Sequence, residues 1–411
     1  MTYIEFFDKT SVVNICACLT NPPERVILVG GDMKPMQRHA EYYGKVFSGR
    51  GHSVEFICKS VNKTSLMNMV DVLSEIVSTY PECAVDLTGG EDLMLVAMGI
   101  VCERFKDKNI QLHRFNPRTN TIYDCDNDGT TVKKDPLYLT VDENITIYGG
   151  EIITDPDSIN STYEWDMNDE FVEDIDKMWQ ICRENNHKWN VQIGILATAE
   201  IIRPPQDHPL KLRANVKALT EFLEQRGHTY RVFRDEVLSP LCIAGLITYS
   251  YDDKRLEINY KNEQIKRCLT NAGQVLELKV FSLMRSLTDG GAPLYNVMTG
   301  VQIDWDGRNR SEGADTCNEV DVLAMKGVVP VFISCKNGYL STDELYKLKS
   351  VAERFGGEYA RKILICTALD DEKEFAAAFR QRAEDMGIRI VDDFAQLSDR
   401  EAQKMMKNFW H

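Results

Sequence analysis

Two apolar β-type runs, Asn318-Glu319-Val320-Asp321-Val322-Leu323-Ala324-Met325 and Val331-Phe332-Ile333-Ser334-Cys335-Lys336-Asn337-Gly338, are separated only by a short break around Lys326-Gly327. Val/Ile-rich runs on either side of a glycine-containing break read as a β-hairpin. A turn centred there sets Asp321 opposite residues 332–334. Side chains alternate along a strand, so Glu319 and Asp321 share one face, and Ser334 and Lys336 share one face of the partner strand. Acids, a hydroxyl and an amine thus converge on one point of an otherwise apolar pair of strands.

Those residue types suit attack on a phosphodiester. The substrate is an anion, so its hydrolysis calls for Mg²⁺ or Mn²⁺ held by hard oxygen ligands, with positions left open for water and phosphate. Asp321 is the first candidate ligand. Lys336 can neutralise charge on the transition state or orient the attacking water. The plainer reading is an edge hairpin whose polar residues simply face water.

The rest of the C-terminal third agrees with an α/β core. Leu276, Val280, Leu283 and Leu287 have helical spacing, residues 345–355 read as a helix stopped by Gly356-Gly357, residues 362–367 as a strand, 372–386 as an amphipathic helix and 388–391 as a further strand. At the other end, the first 115 residues alternate strands and helices. Strands are expected at 12–19, 25–30, 53–58, 83–87 and 111–115, with helices at 36–47, 65–79 and 91–105. This predicts a Rossmann-like parallel sheet, whose ligands sit beyond the carboxyl ends of the strands.

Two glycine pairs fall at such ends, in Val29-Gly30-Gly31-Asp32-Met33-Lys34 and Leu87-Thr88-Gly89-Gly90. Glycine allows close approach of backbone to a phosphate, and helix N-terminal amides favour an anion; glycine pairs also serve as plain turns. No GxGxxG is present, which argues against a dinucleotide cofactor. Between the ends, residues 116–150 carry turn signals such as Asn127-Asp128-Gly129, residues 164–184 read as an acidic helical linker, 212–226 and 237–246 as helices, and 247–259 as a hairpin turning at Asp252-Asp253. Helices followed by a two-stranded wing suggest a small winged-helix-like module acting as spacer or dimerisation element.

A chain of 411 residues with 43% apolar content suits two or three conventional domains. The twelve cysteines are scattered and form no CxxC pair, and the seven histidines lack ligand-like spacing, so reduced core thiols in a cytoplasmic protein are expected and a zinc site is not. No stretch is long and apolar enough for a membrane span, and no signal peptide is expected at the N-terminus. A net charge of −15 predicts weak nonspecific binding to nucleic acid, dependent on divalent metal.

At the hairpin the chain resembles the PD-(D/E)xK nuclease superfamily, in its archaeal Holliday junction resolvase-like and restriction-endonuclease-like branch. In that pattern an aspartate opens the second core strand, an acid-x-lysine lies on the third, and a glutamate comes from the preceding helix. Asp321 and Lys336 match. The helical glutamate maps onto Glu277 in Gly273-Gln274-Val275-Leu276-Glu277. The resemblance implies catalysis by Glu277, Asp321, Ser334, Lys336 and Glu319, with Mn²⁺ or Mg²⁺ held by Glu277, Asp321 and the backbone carbonyl of Cys335. One position departs: the acid expected two residues before the lysine is Ser334. A hydroxyl is the weaker ligand, so a charge is missing, and Glu319 is the nearest candidate to supply it.

A second resemblance joins the first. Asp86-Leu87-Thr88-Gly89-Gly90 is similar to the signature turn of CARF domains, the Rossmann-like sensors of cyclic oligoadenylates in type III CRISPR antiviral defence. Leu139-Thr140-Val141-Asp142-Glu143, Ile147-Tyr148-Gly149-Gly150 and Lys266-Arg267-Cys268-Leu269-Thr270-Asn271 resemble the segments that connect sensor to nuclease in one family of CARF-linked nucleases. This implies a CARF sensor at 1–150, a winged-helix-like linker at 151–270 and a PD-(D/E)xK nuclease at 271–411. It also implies a homodimer whose paired sensors bind cyclic tetra-adenylate through Thr20, Asn21, Gly31, Met33, Lys34, Thr88, Gly89 and Gly90, and so activate cleavage of DNA, RNA or both. Family members carry Thr-Lys after the paired glycines, whereas this chain has Glu91-Asp92; acids there repel phosphate, and Lys34 with backbone amides must compensate. Two other readings stay open: a non-catalytic sensor that regulates by binding DNA, and a repair or restriction nuclease without a gate.

Overall fold

The computed structural model describes residues 1–408 except 127–128, 132–135, 159, 204–207, 229–232, 290–293, 308–316, 339, 368 and 370–372. The predicted turn residues Asn127 and Asp128 and the predicted helix start Glu372 lie outside the described residues.

The N-terminal sheet is built from β1 (Thr2–Phe6), β2 (Arg25–Gly30), β3 (Glu55–Ser60), β4 (Cys83–Asp86), β5 (Ile110–Asn116), β6 (Thr121–Asp124) and β7 (Thr130–Thr131), in the order β3-β2-β1-β4-β5-β6-β7. The first five strands pair in parallel and the last two add antiparallel. Helices α1 (Cys16–Thr20), α2 (Met33–Gly49), α3 (Leu66–Thr79) and α4 (Asp92–Arg104) connect them. Asp32 and Ser65 cap α2 and α3 by accepting from the amides of Lys34 and Asn68. The sheet is the Rossmann-like one expected, and its strand order reverses between β1 and β4, where such folds open a ligand crevice.

Two readings of this region are corrected. Residues 12–19 are not a strand: a 3₁₀ turn at Ser11–Asn14 leads into α1. Every residue of that run is buried, so it carries no period by which helix and strand differ. The central strand is instead β1, concealed in the sequence because a charged residue, Glu5, is buried within it.

After β5–β7 comes α5 (Val141–Ile147), started by a capping box between Thr140 and Glu143, and the short β8 (Glu151–Ile152). The middle region contains α6 (Asp169–Glu184), α7 (Asn186–Ile202), β9 (Lys211–Asn215), α8 (Val216–Gln225), α9 (Asp235–Ile243), β10 (Ile247–Tyr251), β11 (Arg255–Tyr260) and α10 (Glu263–Cys268). Strands β10, β11 and β9 form an antiparallel sheet, and Asp252 closes the predicted hairpin by accepting from the amides of Lys254 and Arg255. The module is winged-helix-like. Its expected helix at 212–226 begins later, because Leu212 and Ala214 are buried while Arg213 and Asn215 are exposed, a period of two that makes β9.

The C-terminal part runs α11 (Gln274–Asp289), β12 (Leu294–Asp304), β13 (Cys317–Lys326), β14 (Val329–Lys336), α12 (Thr342–Gly356), β15 (Arg361–Cys366), α13 (Lys373–Asp385), β16 (Ile388–Val391) and α14 (Asp399–Asn408). Its sheet has the order β16-β15-β14-β13-β12-β8. The predicted hairpin is β13 and β14, turning at Gly327, whose φ of +62° is one that glycine adopts without strain. Strand β12, not expected from the sequence, pairs antiparallel with β13.

By internal contacts the chain forms two units, one of Met1–Thr162, Pro293–Phe332 and Leu348–Lys362, the other of Tyr163–Ala292, Ile333–Lys347 and Ile363–His411. Cys16, Cys18, Cys83, Cys182, Cys268 and Cys366 are buried thiols. Among the described residues no helix is long and apolar enough to cross a membrane.

Candidate functional site

Strand β14 alternates near its end: Ser334 and Lys336 are half-buried on one face while Cys335 is buried on the other. The Lys336 ammonium lies 3.3 Å from Glu344 Oε2, in the first turn of α12. Glu344 Oε1 also takes a proton donor from Lys347, at 3.0 Å. Burial works to raise the Glu344 carboxyl, yet the two lysines outweigh it and hold the group below its ordinary value.

Directly after Lys336, the Asn337 side chain fastens the end of β14 to the chain entering α11. Its amide donates to Asn190 Oδ1 at 2.9 Å, to the Ala272 carbonyl at 3.2 Å and toward Cys182 Sγ at 3.4 Å, and its oxygen accepts from Asn186. Asn190 returns a bond to the Asn337 carbonyl at 2.9 Å. Two residues past Ala272, α11 begins. Glu277, in its first turn and only 8% exposed, accepts from Gln274 Nε2 at 3.0 Å. Lys279, buried two residues on, is answered by Asp176 and Asp399 at 2.7 and 2.8 Å, as a buried charge requires.

Asp321 is half-buried on β13, the sheet neighbour of β14, and its backbone carbonyl accepts from Thr299 Oγ1 at 2.9 Å. Glu319 is exposed and stands opposite Gln302 of β12. Carboxylate oxygens such as those expected from Asp321 and Glu277 are hard donors of the kind that Mg²⁺ or Mn²⁺ takes. Among the described residues no three His, Cys, Asp or Glu side chains gather closely enough to chelate an ion.

In the N-terminal sheet, the turn after β4 is organised from below. Asp86, fully buried, accepts from the Thr88 amide at 2.9 Å and from the Thr88 hydroxyl, which in turn accepts from the Phe115 amide at 2.6 Å. Glu5 lies in register with Asp86 and is also buried. Burial drives both acids up, Glu5 strongly and Asp86 to about 7. A Cβ on Gly89 would stand 2.8 Å from the Phe6 carbonyl, and one on Gly90, at φ +91°, would stand 2.5 Å from Phe6 Cβ. Both glycines are thus required by the approach of the turn to the end of β1.

Gly31, Met33 and Lys34 follow β2 at the same edge of the sheet. A Cβ on Gly31 would collide with the Lys63 side chain, which reaches Glu91 at 2.6 Å. Sequence reasoning missed Lys63, which follows β3, and the loop after β1, which Asn14 holds through Asp8. Recognising β1 would have pointed to that loop. Thr20 and Asn21 stand apart from the glycine turns, because α1 is a crossover helix and ends where the chain enters β2.

The sequence of residues 262–406 matches the model of the Card1-like endonuclease domain. Over that stretch the chain is similar to the Card1-like endonuclease domain. Two solved structures share its fold over the whole chain. Protein VC1899 from Vibrio cholerae is 17% identical, with 100% of this chain and 97% of that one covered at a TM-score of 0.75. Can2 from Sulfobacillus thermosulfidooxidans, solved with cyclic tetra-adenylate, is 18% identical, with 100% and 99% covered at a TM-score of 0.68. No curated protein matches the sequence at a significant level. The matched stretch contains every residue of the hairpin and Glu277.

Proposed function

We propose that this chain is a cyclic oligoadenylate-activated, metal-dependent endonuclease of type III CRISPR antiviral defence, with a sensor at 1–150, a linker at 151–270 and a nuclease at 271–411. The observation that carries the reading is the joining, in one chain, of a Card1-like endonuclease domain to a Rossmann-like sheet with glycine turns at its ligand edge, in the fold of a protein solved with cyclic tetra-adenylate.

On the nuclease side, Glu277, Asp321 and the Cys335 carbonyl would hold Mn²⁺ or Mg²⁺. A divalent cation held there would offset phosphate charge and make a bound water more acidic. Lys336 provides a positive charge beside the reacting phosphate and orients water, and Ser334 offers a hydroxyl on the same strand face. On the sensor side, Gly31, Gly89 and Gly90 let phosphates approach the backbone, and Lys34 is exposed for anion contact. Lys63 neutralises Glu91, which answers the repulsion expected from that acid. Exposed Met67, Leu95 and Val96 on the packed pair α3 and α4 supply apolar surface for a homodimer.

Lys336→Ala and Asp321→Ala test the site. Each is expected to cut Mn²⁺-supported cleavage of DNA or RNA by about 10²-fold or more, with melting temperature and cyclic tetra-adenylate affinity unchanged. Cleavage at the wild-type rate in both variants would contradict the assignment.

A further inference from the structure

The three-stranded sheet of the middle module turns one face to its own apolar core and the other to solvent, and register fixes which residues share the outer one. Glu257 of β11 stands opposite Arg213 of β9 and Ser250 of β10, and Asn259 stands opposite Lys211 and Thr248. Residues directly opposed across antiparallel strands point to the same side, and Arg255, two positions before Glu257, joins them. Leu212, Ala214, Leu256 and Ile258 fill the other side. Lys211 and Arg213 face the same way only because their segment is a strand; on a helix, residues two apart diverge.

Three cations thus surround one carboxylate: Lys211 Nζ lies 3.7 Å, Arg213 Nε 3.2 Å and Arg255 Nη1 3.6 Å from the Glu257 oxygens. One acid offsets one cation, so the face keeps a surplus of two positive charges in a chain whose net charge is −15. Arg213 and Arg255 are 46% and 69% exposed and Glu257 only 26%, which leaves the positive charge outermost. We infer that this face grips the phosphate backbone of a nucleic acid strand. The inference goes beyond the nuclease reading, because it needs neither a metal nor any residue of the β13–β14 hairpin.

The composition decides the kind of partner. Arginine, lysine, serine, threonine and asparagine are the side chains that contact phosphate and sugar. Thr248, Ser250 and Asn259 are exposed around the cations, and Asn259 Nδ2 donates to Thr248 Oγ1 at 3.0 Å, which leaves that hydroxyl its own proton to give. A protein partner would call for an apolar or aromatic centre with few charges, and the outer positions supply none. Asp252 and Asp253 lie beyond the face at the hairpin turn, where Asp252 is engaged by the amides of Lys254 and Arg255.

Fluorescence anisotropy of the full-length protein with labelled single-stranded DNA, in EDTA and at low salt, tests this apart from cleavage. Removing Lys211, Arg213 and Arg255 together to alanine is expected to weaken binding about tenfold and to make the slope of log K against log salt shallower by about two. Glu257→Gln removes the acid and keeps the cations, so it is expected to tighten binding several-fold, a gain that misfolding does not produce. Parallel arms with duplex DNA and single-stranded RNA identify the strand that is held. Unchanged affinity in the triple variant overturns the inference, as does a wild-type protein that binds none of the three nucleic acids without metal. If the triple variant does not fold, Glu257→Gln decides, and unchanged affinity there overturns it. A triple variant that keeps its nucleic-acid affinity but changes oligomeric state by light scattering makes the face a contact between copies, and also overturns it. Failure of the nuclease reading looks different: nucleic acid is bound through this face and is not cut in Mn²⁺.

Discussion

The turns proposed as the sensor edge and the strand end proposed as the nuclease site use polar residues in opposite ways. At the turn after β4 the side chains point inward. Asp86 and Thr88 bond to one another and to the backbone around them, Glu5 is buried in register with Asp86, and the glycines bring main chain close to the end of β1, so the proposed ligand would meet backbone. At the end of β14 the side chains themselves are offered, half-buried and in ion pairs that a cation or phosphate can exchange. A site made of backbone is sensitive to added atoms; a site made of side chains is sensitive to their removal.

The comparison fails most visibly if an added methyl does nothing at the sensor. Gly90→Ala must place a side chain at positive φ against Phe6, so it is expected to abolish activation by cyclic tetra-adenylate and to destabilise by about 1–3 kcal/mol. Calorimetric binding together with thermal melting measures both, and an alanine variant that binds normally would show the glycine to be plain turn chemistry. On the nuclease side, Asn337→Asp removes the donors to Asn190 and Ala272 while keeping shape. The expected result is a fall of about tenfold in kcat with KM little changed, because the residue positions β14 against the entry to α11 without touching substrate. Equal losses in kcat and in melting stability across Asn337→Asp and Asn337→Ala would make the cluster merely structural.

A smaller effect separates the two cations at the sensor edge. Lys63→Ala leaves Glu91 uncompensated and is expected to weaken cyclic tetra-adenylate binding several-fold, with a shallower salt dependence; unchanged affinity would place the ligand elsewhere. The smallest effect is on stability against pH. Asp86 has a folded value near 7, above its unfolded value, so the folded state binds the extra proton and stability is lost as pH rises between about 4 and 7. Asp86→Asn keeps an acceptor for Thr88 and is expected to flatten that part of the melting-temperature profile; an unaltered slope would show that Asp86 is already ionised.

What the sequence disclosed follows the same division. The β13–β14 hairpin was legible because apolar strands with polar ends and a glycine break have one reading, and α11 because its leucines and valine keep helical spacing. Strand β1 was not, since a buried Glu5 interrupts its apolar pattern for a reason visible only in register with Asp86. Residues 12–19 misled because burial on all sides erases periodicity. Glu344 and Lys63 were out of reach for a different cause: each meets its ion-pair partner, Lys336 or Glu91, through a loop return, and spacing along the chain does not encode such a return.

Cleavage of a labelled nucleic acid by the full-length protein in Mn²⁺, followed with and without cyclic tetra-adenylate, tests the coupling of sensor to nuclease most directly. The account predicts rapid cutting only when both are present, and none when Lys336 is alanine. Equal cutting in the absence of the cyclic nucleotide, or none in its presence, would contradict it.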